Sequence, residues 1–98
     1  KNFLLNFGFQ SKTFDEVIER ANDNDLGLCS YLYTNSMDKA HIGSEKLESG
    51  CVAVNTGVVA LAEAPFGGIK QTGYGREGGS GAIKDYLNVK YTHMGLKI

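Results

Sequence analysis

The sequence predicts an α/β domain, and three observations predict it. Up to Val54, short apolar segments alternate with capped amphipathic stretches, the pattern of a β-α-β-α-β unit with buried parallel strands. The 98 residues, 42% of them hydrophobic, suffice for one compact domain and exclude a disordered tail. Seven of the thirteen glycines fall between Gly67 and Gly81, so a long Gly-rich loop stands apart from the regular part.

The elements follow in order. Phe3 to Phe9 (FLLNFGF) reads as a buried strand. Thr13 opens T-F-D-E, a capping box in which a hydroxyl and a carboxylate satisfy free backbone N–H groups. Phe14, Val17, Ile18 and Ala21 then recur at helical spacing, and Asn22 to Gly27 (NDNDLG) stops that helix. Leu28 to Tyr33 is a second strand. Ser36 caps a second helix that turns Met37, Ala40, Ser44 and Leu47 inward and ends on Gly50 as a left-handed cap. Cys51 to Val54 is a third strand, apolar on both faces. Residues 55–78 show no period and include Pro65, and Pro65 to Thr72 reads as no strand. A third helix is expected from Gly79 to Leu87, then an alternating strand from Asn88 to Met94.

Charge and composition narrow the function. Ten basic and eleven acidic residues leave a net charge of -1, so no polybasic face argues for nucleic acid or an anionic membrane. The longest apolar run, Gly57 to Ala62, is far short of a membrane span, and no leader peptide is visible after Lys1. Cys29 and Cys51 make neither a disulfide framework nor a metal spacing, which fits a cytoplasmic setting and no metal site. A start on Lys rather than Met is expected of a piece of something longer.

Gly73-Tyr74-Gly75-Arg76-Glu77-Gly78 matches G-x-G-x-x-G ahead of a helix, the form of a dinucleotide cradle. Its context argues against that use. No buried strand leads directly into it, and no acidic residue follows Asp85.

Asn55-Thr56-Gly57 and the run Pro65-Phe66-Gly67-Gly68-Ile69-Lys70-Gln71-Thr72-Gly73-Tyr74-Gly75-Arg76-Glu77-Gly78 point elsewhere. Together they resemble the C-terminal signature of the NAD(P)-dependent aldehyde dehydrogenase superfamily, P-F-G-G-x-K-x-S-G-x-G-R-E-x-G. Only Thr72 departs from it, and it keeps the hydroxyl. The likeness extends through R-A-N-D-N-D-L-G-L (Arg20 to Leu28), S-G-C-V-A-V-N (Ser49 to Asn55) and the D-Y-L-x-x-K-Y ending (Asp85 to Tyr91), and is nearest the succinate-semialdehyde branch.

The resemblance implies that residues 1–87 are the C-terminal part of a catalytic domain and 88–98 an oligomerisation strand and tail. It implies an aldehyde tunnel lined by Val58, Val59, Ala60 and Leu61, although a covered apolar loop accounts for their composition equally well. At Ala60, succinate-semialdehyde enzymes tend to carry a Ser that holds the substrate's distal carboxylate; Ala offers no such bond. Phe66 corresponds to an aromatic beside the reacting thiol, or serves a tight Gly-Gly turn. Glu77 corresponds to a carboxylate near a proton-relay route, or is an ordinary partner of a helix N-terminus. Lys70 and Arg76 are expected to pin the loop by ion pairs or bonds to backbone carbonyls.

The family's nucleophile follows a G-Q motif that surrounds neither Cys29 nor Cys51. Cys51, in a buried strand, is expected to be inert. His41 and His93 read as surface or packing residues. Asn2-Phe3-Leu4 stands where the family's cofactor-ribose motif would end. In the parent enzyme a thiolate would attack the aldehyde, hydride would pass to NAD or NADP, and hydrolysis would release the acid. This chain alone is expected to bind no cofactor and oxidise no aldehyde. A small-molecule aldehyde and, through Asn88 to Met94, a second copy of the chain are the implied partners. The competing reading is a free-standing, non-catalytic module that pairs through the face of Val89, Tyr91 and His93.

Overall fold

The computed structural model describes residues 12–97. The expected strand at Phe3 to Phe9 lies outside them. Helix α1 spans Phe14–Asn22 and begins where the capping residue dictates: the Thr13 hydroxyl accepts the Glu16 N–H at 3.3 Å. The Glu16 carboxylate accepts the Lys12 N–H and pairs with Arg20 one turn on. Val17 and Ile18 are buried, with Phe14 and Ala21 packed beside them, so one helix face enters the core at i, i+3, i+4, i+7 spacing.

Two short strands follow, β1 (Leu26–Gly27) and β2 (Cys29–Leu32). The second strand is shorter than Leu28 to Tyr33 at both ends. Helix α2 (Met37–Lys46) then leads to β3 (Cys51–Val54), and β2 and β3 pair in parallel, Cys29 opposite Cys51 and Leu32 opposite Val54. This β2-α2-β3 crossover is the centre of the molecule. One face of its sheet sends Leu32, Val52 and Val54 against the helices, where Val17, Ile18 and Leu47 complete the core.

The Ser36 hydroxyl caps α2 by accepting the Lys39 N–H at 3.3 Å. The face α2 buries differs from the expected one. Met37 and Ser44 are exposed, and the inward row is Ala40, Gly43, Leu47. A Cβ at Gly43 would overlap Leu32 Cδ2 and lie 3.3 Å from Phe14 Cζ, so the helix approaches the core through its bare glycine. Gly50 is likewise no left-handed cap: α2 closes on Leu47 in extended geometry, and Gly50 lacks a positive φ. Its glycine is required by close approach, because a Cβ there would overlap the Gly67 carbonyl oxygen.

Beyond β3, Pro65 to Thr72 contains a strand after all. β4 (Ile69–Lys70) pairs antiparallel with β1, Leu26 opposite Lys70 and Gly27 opposite Ile69. The expected third α-helix is a 3-10 helix at Ala82–Tyr86. Ile83, Tyr86 and Leu87 are exposed there, because among the described residues no apolar surface covers that turn. The expected terminal strand makes no ladder among the described residues. Val89, Tyr91, Met94 and Leu96 are all exposed, since a strand needs a partner edge and no described edge reaches it. No helix among the described residues is long and apolar enough to cross a membrane.

Candidate functional site

The Gly-rich loop is anchored at both ends by its own sequence. At its start Asn55 adopts φ 56° and its side chain mimics a strand, accepting the Thr34 N–H at 2.8 Å and donating to the Thr34 carbonyl at 2.9 Å. At its far end Gly78 and Gly79 both adopt φ 65°, a region that disfavours side chains, and the Gly79 N–H reaches the Ala62 carbonyl at 3.0 Å. Between these anchors Phe66 and Glu77 exchange two backbone hydrogen bonds of 2.7 Å each, which closes the loop into a clasp.

Two side chains, Lys70 and Thr72, hold the clasp to the core, and Arg76 braces it from within. Lys70 donates to the Asn22 carbonyl at 2.9 Å and the Asn24 carbonyl at 3.1 Å, and pairs with Glu48 at 2.5 Å. Asn22 in turn donates to the Lys46 carbonyl and accepts the Glu48 N–H, so the ends of α1, α2 and β4 meet at one polar node. Arg76 folds back on its own loop, one guanidinium nitrogen donating to the carbonyls of Gly68 at 2.8 Å and Gly75 at 2.7 Å. The Thr72 hydroxyl accepts the buried Gly27 N–H at 2.9 Å. Both basic residues therefore pin the loop, as expected of them.

This geometry leaves no dinucleotide cradle. The Glu77 amide is spent on Phe66, Arg76 is spent on two carbonyls, and no α-helix opens after Gly78. What the clasp does present is apolar. Val58 and Leu61 are exposed, Val59 and Phe66 are half-buried, and Ala60 and Glu77 are open to solvent. A cavity of about 570 Å³ lies beside the clasp, with Phe66, Tyr74, Arg76, Glu77 and Tyr86 on its walls. Val58 to Leu61 line neither this cavity nor the larger one of about 920 Å³ bordered by Leu26, Leu28, Cys29 and Tyr31. So the structure joins Phe66 to Glu77 and leaves the four candidate tunnel residues on a separate stretch of the same loop.

The model of the aldehyde dehydrogenase family matches residues 9–92. The chain belongs to the aldehyde dehydrogenase family. It is 46% identical over 87 residues to the succinate semialdehyde dehydrogenase of Acinetobacter baylyi, covering 89% of this chain and 18% of that protein. It is 47% identical over 87 residues to the 3-sulfolactaldehyde dehydrogenase of Pseudomonas putida, again over 89% of this chain and 18% of that one. A crystal structure described as an E. coli NADP dependent enzyme superposes with a TM-score of 0.84 at 44% identity, over 90% of this chain and 18% of the other. The chain thus spans under a fifth of the length of these aldehyde dehydrogenase relatives.

Sequence reasoning missed one arrangement in this aldehyde dehydrogenase chain. Cys29 and Cys51, whose spacing reads as no disulfide framework, are register partners on adjacent parallel strands, and both are free thiols. Burial first, and then the neighbouring Cys51 thiol, push the Cys29 thiol above its ordinary range. The signal was present in the pattern: each cysteine opens a strand of one β-α-β unit, and parallel pairing sets such positions side by side.

Proposed function

We propose that the chain is the C-terminal part of an NAD(P)-dependent aldehyde dehydrogenase that converts a short aldehyde with an anionic far end, succinate semialdehyde foremost, to its acid. The observation that carries this reading is the clasp. The P-F-G-G segment folds so that Phe66 and Glu77 are locked together, while Val58 to Leu61 stand on a separate, largely exposed stretch of the same loop. Two of the similar proteins are named for aldehydes that bear a carboxylate or a sulfonate, which supports the anionic substrate class.

In the assembled enzyme Val58, Val59, Ala60 and Leu61 wall the substrate stem, where small aliphatic side chains exclude water without gripping it. Phe66 shields the reacting centre from water, and its paired backbone bonds fix its place. Glu77 borders the same cavity and holds a proton on the route from the general base. The nucleophilic Cys, the general base and the groups that hold NAD or NADP come from parts of the enzyme outside this chain. The exposed tail, with Val89 and Tyr91, supplies a strand to a second subunit. The core formed by the described residues supports the same view: among them five buried apolar residues face many large apolar side chains left in water, such as Leu26, Leu28, Val58 and Leu61.

The test is a graft. Residues 9–92 replace the matching segment of the Acinetobacter baylyi relative, and aldehyde-dependent reduction of NAD+ and NADP+ is followed with succinate semialdehyde and with butanal. The reading expects an active graft that favours succinate semialdehyde, while this chain alone shows no binding of either cofactor by calorimetry. A soluble, folded but inactive graft, or stoichiometric cofactor binding by the chain alone, overturns it.

A further inference from the structure

We propose that Cys29 and Cys51 form a dithiol that closes to an intrachain disulfide by exchange with a small-molecule disulfide, and reopens on reduction. The register sets the two residues directly opposite each other on β2 and β3. Hydrogen-bonded strands run about 4.8 Å apart, which falls inside the Cα separation of roughly 4.4–6.8 Å that a disulfide spans. Register partners of a parallel pair leave the sheet on the same face. Here that face is the one turned away from the helical core, since Leu32, Val52 and Val54 take the other.

The surroundings leave the sulfurs reachable and close. Both cysteines are only part-buried. Cys29 borders the larger cavity, so a small reagent reaches it without unfolding the sheet. Cys51 Sγ lies 3.7 Å from the Gly67 carbonyl oxygen, which places its thiol on the loop side of the same face. The two thiols are close enough that Cys51 helps push the Cys29 thiol up, and both stand free in the structure. Neither sulfur belongs to the Phe66–Glu77 clasp.

The exchange balances without any further oxidant. One cysteine, as thiolate, attacks a sulfur of the reagent, forms a mixed disulfide and releases one reagent thiolate. The second cysteine, as thiolate, attacks the protein-side sulfur, closes the Cys29–Cys51 bond and releases the second reagent thiolate. The two protons of the cysteines end on the two released thiols. The protein pair is oxidised by two electrons and the reagent disulfide is reduced by two.

The experiment treats the full chain with excess oxidised glutathione, blocks remaining thiols with iodoacetamide, and reads intact mass and non-reduced peptide maps. The expected product is monomeric, lighter by two hydrogens, free of bound glutathione and of alkyl groups, with the Cys29 and Cys51 peptides linked. Dithiothreitol should return two alkylatable thiols. Cys29→Ser and Cys51→Ser should each instead retain one glutathione, because no second thiol resolves the mixed disulfide. Two glutathiones held on the native chain, a disulfide-linked dimer, or two unreacted thiols under conditions that modify the urea-unfolded chain would each overturn the proposal.

Discussion

Replacing Thr72 by Val tests how the loop signature is tied to the core. The two side chains have nearly the same shape, so the change removes one hydroxyl and leaves the packing against Gly68 in place. That hydroxyl accepts the Gly27 N–H at 2.9 Å, and Gly27 is buried. Gly27 also stands opposite Ile69 in the β1–β4 ladder, so its amide keeps the ladder acceptor and loses the hydroxyl, a net cost of about 0.5–1.5 kcal/mol. A domain of this size melts lower by about 4–8 °C for each kcal/mol, so Thr72→Val should lower Tm by roughly 2–12 °C. Thr72→Ser keeps the acceptor and gives up one methyl, so its loss should stay near ~1 kcal/mol or less. Thermal unfolding by circular dichroism reads the ordering, and hydrogen exchange at the Gly27 amide locates it. A Val variant as stable as the parent, or a Ser variant that falls as far as Val, would refute the assignment of this hydrogen bond as the anchor.

Three further outcomes follow from the same contacts. Gly50→Ala drives a Cβ into the Gly67 carbonyl, so the chain should lose about 1–3 kcal/mol in urea unfolding even though Ala lowers the conformational entropy of the unfolded chain. Lys70→Met should cost about 1–2 kcal/mol because two backbone carbonyls lose a charged donor, whereas Glu48→Gln should cost under ~1 kcal/mol because that carboxylate is half in water. In the active graft, Ala60→Ser should lower KM for succinate semialdehyde several-fold and leave KM for butanal unchanged, since the added hydroxyl can donate to a carboxylate but has nothing to bind on an alkyl chain; equal shifts for both substrates would place Ala60 away from the distal carboxylate.

The parts of the fold that were legible are those decided within a few residues. Thr13 and Ser36 announce their helices because a hydroxyl needs only the N–H three positions on. Cys51 to Val54 reads correctly as a strand because both its faces are apolar, Val52 and Val54 on one and Cys51 and Ala53 on the other. What escaped was decided by distant partners. The rotation of α2 depends on Leu32 and Phe14 meeting Gly43, and the glycine at position 50 depends on Gly67, which lies in another element. The pairing of Ile69–Lys70 with Leu26–Gly27 has no periodic signal, since two residues cannot show a period. The tail from Asn88 reads as a strand by alternation, but pairing requires an edge that the described residues do not offer. The candidate site was legible through its motif and not through its geometry: spacing alone gives no hint that Phe66 and Glu77 share two backbone bonds.

The proposed placement of this chain at the C-terminal end of a longer aldehyde dehydrogenase is tested most directly by sequencing the transcript upstream of the Lys1 codon. One continuous reading frame is expected there, encoding a Rossmann cofactor region and, after it, a G-Q-x-C segment carrying the nucleophile. A frame that reaches Lys1 without either would contradict that placement.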